Sequence, residues 1–288
     1  MTQIVCLAGS KESGKTTSAN FLHGHLLKLN EIIREYEVTK EGELKVNTHY
    51  MKDGEVKEDM GVLDLSRKDD LYTQYADQMI WPYVKMYNFA DALKELCITM
   101  FDISHEQAYG NYKNSLTKLK WENMPGVITT EKALEFGQRH DIWTIGHSPT
   151  IDELNNLYDG VAIVHKPGFM TAREILQFVG TEIFRRMYQP VWVSLLINKI
   201  KMDSPLVAVI ADCRFDNEAQ AVKEEGGTIV RLTRRPTRDN HASEDGFKDF
   251  SDFDLVLDNE KLDIKSANQQ LLDFLIQKGI SEFVNKAE

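Results

Sequence analysis

Unbroken apolar runs alternate with helix-period segments along most of the chain. Residues 3–8 (Gln-Ile-Val-Cys-Leu-Ala) and 206–211 (Leu-Val-Ala-Val-Ile-Ala) are continuous apolar stretches. That is the pattern of parallel strands buried on both faces. Shorter runs at 84–89, 228–233 and 254–257 predict three more strands. Between them, Phe21, Leu22, Leu26 and Leu29 recur at helical spacing after Thr16. Further helices are predicted from Ala90 onward and over about 190–201, 218–225 and 264–277. The clearest spans 171–187. It opens on the capping box Thr171-Ala-Arg-Glu174 and places Ile175, Phe178, Val179, Ile183 and Met187 broadly on one side. Arg173, Gln177 and Thr181 fall on another side at successive four-residue steps. Strands alternating with helices predict an α/β fold with a mostly parallel sheet flanked by helices.

Two stretches break the alternation. Residues 34–83 open with a run dominated by Glu, Lys and Asp, with turn signals at Glu41-Gly42 and Asp53-Gly54. A small hairpin is predicted around Tyr36–Val38 and Leu44–Val46, as a solvated insertion or a charged loop without chemistry. Residues 105–168 are polar, aromatic and punctuated by Gly and Pro, and read as a second insertion or cap. The core is then expected in 1–33, 84–104 and 169–288, with a basic, lid-like loop at 234–250.

The chain has 288 residues, is 42% hydrophobic and 27% charged, and carries 34 basic and 45 acidic side chains for a net charge of −11. This is globular composition and excludes a wholly disordered chain. The acidic balance argues against a nucleic-acid partner, which needs clustered Lys and Arg. No apolar run is long enough to span a membrane, and no secretory signal is legible at the N-terminus. Cys6, Cys97 and Cys213 are far apart and read as reduced thiols, giving an expectation of a cytoplasmic protein.

Gly9-Ser-Lys-Glu-Ser-Gly-Lys-Thr16 fits G-x-x-x-x-G-K-[ST], between a predicted buried strand and a predicted helix. Such a loop turns backbone N–H groups toward phosphate oxygens, and the helix N-terminus adds partial positive charge. Gly9, Ser13, Gly14, Lys15, Thr16 and Thr17 are therefore expected to bind ATP. Lys15 would reach the β and γ phosphates, and the Thr16 hydroxyl would ligate Mg²⁺. Asp212, closing the second apolar run, is the candidate partner acid for Mg²⁺, or an Asp that caps the strand end. These features predict a P-loop NTPase-type sheet. No GTPase switch segment is identifiable.

Four further segments follow in order: Phe89-Ala-Asp-Ala-Leu-Lys94; Arg173 to Glu182 with Arg185; Asp212-Cys-Arg-Phe-Asp-Asn-Glu218; and Arg231-Leu-Thr-Arg234 with His241-Ala-Ser-Glu244. With the phosphate loop, this set resembles the bacteriophage deoxynucleoside monophosphate kinase family. It is more distantly similar to animal-type phosphomevalonate kinases. The resemblance covers about 1–30, 84–100 and 170–278. It implies transfer of the ATP γ-phosphoryl group to a deoxynucleoside 5′-monophosphate.

Arg173 and Gln177, one helical turn apart, could reach one ligand, with Thr181 beside them and Gly180 allowing close approach. The alternative is an exposed polar face with a packing glycine. Arg185 could face phosphates or complement the helix dipole. Arg214 is expected at the acceptor phosphate, with Glu218 orienting it or merely opening a helix. Phe89 could line the acceptor pocket, with Asp91 nearby, or pack in the core. Arg234 and Arg238 would close over ATP from the lid. The implied catalytic set is Lys15, Arg173, Arg185, Asp212 and Arg214, and a homodimer is a weak expectation. Two rival readings remain. One is a P-loop kinase of another phosphorylated metabolite, and the other is a nucleotide-binding regulatory module.

Overall fold

A computed structural model describes residues 2–52, 55–67, 69–142, 147–159, 161–234 and 247–283. Strand β1 (Gln3–Ala8) runs into the phosphate loop, and helix α1 (Lys15–Leu29) follows. The charged segment then forms β2 (Tyr36–Val38), β3 (Leu44–Lys52), β4 (Glu55–Val62) and α2 (Asp70–Met79). Strand β5 (Val84–Tyr87) leads into α3 (Asp91–Phe101). Next come α4 (His105–Ala108), β6 (Leu116–Lys120), β7 (Val127–Thr129), α5 (Thr130–Arg139), α6 (Ile151–Leu157), β8 (Ile163–His165), β9 (Phe169–Thr171) and α7 (Ala172–Gln177). A π-helical segment, Phe178–Arg185, continues α7. The chain closes with α8 (Val191–Asp203), β10 (Val207–Cys213), α9 (Asp216–Glu224), β11 (Thr228–Leu232), β12 (Leu255–Leu257) and α10 (Ile264–Gln277).

These elements form two compact units, residues 1–91 with 190–288, and residues 92–189. In the first unit, five strands make one parallel sheet in the order β12-β11-β1-β10-β5. Val5, Leu7, Val209 and Val230 face one apolar cluster with α1 and α10, whereas Cys6, Ala8, Ile210 and Ile229 face another with α8 and α9. The sheet is thus covered on both sides, which is why its strands read as continuous apolar runs. The P-loop strand lies centrally, between β11 and β10. This is the P-loop NTPase-like fold.

The charged segment differs from a purely solvated insertion. Its strands pair antiparallel in the order β2-β3-β4, with Tyr36 opposite Val46 and Val38 opposite Leu44. Leu44 and Val46 are buried. Gly24 makes the docking possible, because a Cβ there would lie 2.3 Å from Tyr36 Cδ2 and 2.8 Å from Leu44 Cδ1. The turn signal at Asp53-Gly54 lies outside the described residues.

The second unit has its own core. Cys97, Trp121, Met170, Ile175, Phe178 and Val179 cluster, with the Trp121 and His165 rings stacked at 3.8 Å. Two small sheets, β6 with β9 and β7 with β8, complete it. Three features of the predicted 171–187 helix change. Its later part is π-helical rather than α-helical, so four-residue steps no longer mark a fixed face beyond Gln177. Met187 is 77% exposed rather than part of the apolar side. Gly180 is buried, with Leu93 Cδ2 2.7 Å from the place of a Cβ, so it is a packing glycine and not a ligand approach.

Candidate active site

The phosphate loop is the connection between a buried strand and the first turn of α1. Gly14 has φ +97°, a left-handed conformation that suits glycine. Ser18 N donates to Gly14 O at 3.0 Å, starting the helix. The Lys15 side chain folds back into the loop. Its Nζ donates to Gly9 O at 2.8 Å, to Ser10 O and to Ser13 Oγ at 3.3 Å. Lys15 and Ser13 are buried. The ammonium is thereby held at the concave side of the loop by groups that a phosphate oxygen could replace.

Asp212 stands one strand away. Ala8 pairs with Cys213, and Gly9 N donates to Cys213 O at 3.2 Å, so the end of β10 borders the loop. Asp212 Oδ1 accepts from Phe89 N at 2.8 Å and Oδ2 from Ala90 N at 3.4 Å. These bonds pin the residues just after β5 to the end of β10. Burial pushes the Asp212 carboxyl up to about 6, and the nearby Asp91 adds to the rise. The N–H bonds and the Arg214 charge act in the opposite direction. Asp91 accepts from Asn88 Nδ2 at 3.0 Å through Oδ2, while its Oδ1 is buried without a hydrogen-bond partner. Two acidic groups, one carrying an orphaned oxygen, make a place where a hard cation fits.

Three of the sequence expectations resolve here. Phe89 is 4% exposed and packs with Tyr87, Ile210 and Val193, so its ring belongs to the core, the alternative the sequence left open. Glu218 is buried, and Oε2 accepts from Arg214 N at 2.8 Å and Phe215 N at 3.2 Å. It fixes Arg214 through the backbone, as the third residue of α9. Arg234 borders the phosphate loop, its carbonyl accepting from Ser10 Oγ at 3.2 Å. Arg238 and His241 lie outside the described residues.

Asn259 has no counterpart among the residues singled out from the sequence. Its Oδ1 accepts from Arg234 N at 3.0 Å, and its Nδ2 donates to Ser13 O at 2.7 Å. One amide therefore ties the phosphate loop to the segment after β11. Asp216 does similar work for residues 248–250, accepting their three backbone N–H groups at 3.1–3.2 Å. Arg231 lies 5.0 Å from the Phe253 ring centroid and 5.7 Å from that of Phe247. Beside the loop, Gly14, Thr17, Arg234, Asn259, Ile264 and Asn268 border a cavity of about 300 Å³. Asn268 is buried, with Oδ1 accepting from Ser18 Oγ at 2.9 Å.

The remaining predicted residues belong to the second unit. Arg173, Gln177 and Thr181 are exposed. A cavity of about 590 Å³ is bordered by Thr181, Glu182, Arg185 and Arg186, with Asn155 and Asp159. Arg173 and Gln177 are not among its bordering residues. Asn155 is fully engaged with Val164, accepting from its N at 2.7 Å and donating to its O at 3.3 Å.

A parallel sheet with a lysine-bearing phosphate loop and an acid on the neighbouring strand defines a protein of the P-loop NTPase class. A family model for deoxynucleotide monophosphate kinases matches residues 144–267. A protein of Acanthamoeba polyphaga mimivirus, provisionally named a deoxynucleotide monophosphate kinase, is 30% identical over 178 residues, 60% of this chain and 74% of that protein. The deoxynucleoside-5′-monophosphate kinase of Escherichia phage T5 is 42% identical over 57 residues, 19% of this chain and 23% of that one. The chain belongs to the deoxynucleotide monophosphate kinase family. It is a kinase with small-molecule substrates, one of them a nucleotide phosphate donor. No helix among the described residues is long and apolar enough to cross a membrane.

Proposed function

We propose that the donor is Mg·ATP and that its γ-phosphoryl group passes to the 5′-phosphate of a deoxynucleoside monophosphate, giving a diphosphate for DNA synthesis. An acceptor phosphate oxygen forms the new bond to the γ phosphorus, the β–γ bridging bond breaks, and ADP leaves. The observation that carries this reading is the Lys15 ammonium held inside the loop by the Gly9 and Ser10 carbonyls. Phosphate oxygens would take over its hydrogen bonds.

Gly9, Ser13, Gly14, Thr16 and Thr17 would hold the β and γ phosphates through backbone N–H groups and hydroxyls. Thr16 and Asp212 supply hard oxygen donors for Mg²⁺, which when bound neutralises developing charge on the β and γ oxygens. Asp91, with its orphaned oxygen, adds to that acidic side. Arg214, positioned by Glu218, faces the acceptor phosphate in this reading. Arg234 borders the donor side of the loop, and Arg238, outside the described residues, would add a second positive charge there. The cavity beside Gly14 suits the donor base, with Asn268 at its wall. In the second unit, Arg173, Gln177, Thr181 and Arg185 serve the acceptor nucleotide; of these, Thr181 and Arg185 border the cavity of about 590 Å³. Given the viral relatives, we place the reaction in the cytoplasm of an infected cell.

The test is coupled ADP formation with Mg·ATP against dAMP, dCMP, dGMP, dTMP, the ribonucleotides and phosphomevalonate. Rapid turnover that requires a deoxynucleotide supports the reading. Turnover with phosphomevalonate alone, or hydrolysis indifferent to any acceptor, would overturn it.

A further inference from the structure

The turn joining β2 to β3 is fastened to the start of α1. Gly42 N donates to Thr39 O at 3.0 Å, and Thr39 N donates to Glu43 O at 2.9 Å, which closes the turn. Gly42 has φ +86°, and a Cβ there would lie 2.3 Å from Thr17 Oγ1. Asn20 Nδ2 donates to Gly42 O at 2.8 Å. The turn is therefore anchored on α1 at Thr17 and Asn20, immediately beyond Thr16. Its tip residues, Lys40 and Glu41, are exposed and border the same cavity of about 300 Å³ as Thr17 and Asn268.

With the donor phosphates in the loop, as proposed above, Thr17 and the cavity it borders are the adjoining space open to the donor sugar. This is where the turn sits. An ammonium there is a point charge suited to a phosphate, and a carboxylate is an acceptor suited to sugar hydroxyls. We propose that the β2–β3 turn is a wall of the donor-nucleotide site, with Lys40 at the α-phosphate and Glu41 accepting from the ribose hydroxyls. The charged segment then selects the donor. The inference rests on the donor reading given above.

The test uses the full chain and the variants Lys40→Ala and Glu41→Gln, with KM measured for ATP, dATP and the acceptor, and ATP affinity by calorimetry. Lys40→Ala is expected to raise KM for ATP and dATP about three- to tenfold, the span of one accessible hydrogen bond. Glu41→Gln is expected to raise KM for ATP at least threefold more than that for dATP, which lacks the 2′-hydroxyl. KM for the acceptor stays within twofold in both variants. ATP affinity and KM unchanged in both would overturn the role of the turn alone. No ATP binding by the wild-type chain would overturn the donor reading, and this inference with it.

Discussion

Asn259 is the joint between the phosphate loop and the chain that enters the 234–250 segment, and its removal separates stability from donor binding. Asn259→Ala deletes the 2.7 Å bond to Ser13 O, which is partly buried, and the 3.0 Å bond from Arg234 N, which is exposed. A protein hydrogen bond contributes roughly 0.5–1.5 kcal/mol net. The partly buried bond falls near the middle of that range and the exposed one near its foot, so the loss is about 1.5 kcal/mol. For a domain of this size that corresponds to a fall in Tm of roughly 3–6 °C. Asn259→Asp keeps the acceptor for Arg234 N but loses the donor to Ser13 O and adds a negative charge beside the loop. Asn259→Asp should therefore weaken ATP binding more than Asn259→Ala does, by the charge it adds, and it sets an acceptor against Ser13 O, so its Tm should fall at least as far as that of Asn259→Ala. Calorimetric melting and ATP titration on the two variants read the two quantities separately. An unchanged Tm in Asn259→Ala, or ATP affinity in Asn259→Asp equal to that of Asn259→Ala, would refute the joint.

Two further perturbations test the scaffold. Burial lowers the His23 pKa to about 4 from an ordinary 6.5. The unfolded chain thus binds the proton first as pH falls, so stability is full above about pH 6.5 and declines toward pH 4. The limit is about 3 kcal/mol from the pKa difference. Urea midpoints at pH 7.5 and 4.5 should diverge more in wild type than in His23→Leu, and equal divergence would refute the assignment. Gly24→Ala puts a Cβ against the Tyr36 ring, where overpacking costs roughly 1–3 kcal/mol, partly offset by about 1 kcal/mol of helix propensity. Urea unfolding should show a net loss; a gain would mean that the β2–β3 hairpin does not rest on α1.

What the sequence made legible was local. The parallel strands announce themselves because both faces are buried, and the phosphate loop because strand, loop and helix are contiguous. Asp212 is readable for the same reason, as the polar end of an apolar run. Asn259 escapes because its partner Ser13 is 246 residues away and nothing in Asp258-Asn259-Glu260 distinguishes it from a surface turn. Gly180 reads as a close approach to ligand or as a packing glycine, and Gly24 carries no signal at all, because each is set by a side chain distant in pattern: Leu93 for the first, Tyr36 for the second. The π-helical turns at Phe178–Arg185 are hidden because their apolar positions also satisfy the ordinary helical period. Phe89 was ambiguous because an aromatic at a strand end serves a core as readily as a pocket.

The central claim is tested most directly by label transfer. The protein is incubated with ATP labelled at the γ phosphate, Mg²⁺ and each deoxynucleoside monophosphate, and the labelled products are separated. Wild-type protein should yield labelled deoxynucleoside diphosphate, and Lys15→Met should yield it at least about 10²-fold more slowly, the scale set by losing one preorganised electrostatic donor. Label appearing only as inorganic phosphate, or transfer by Lys15→Met at near wild-type rate, would contradict it.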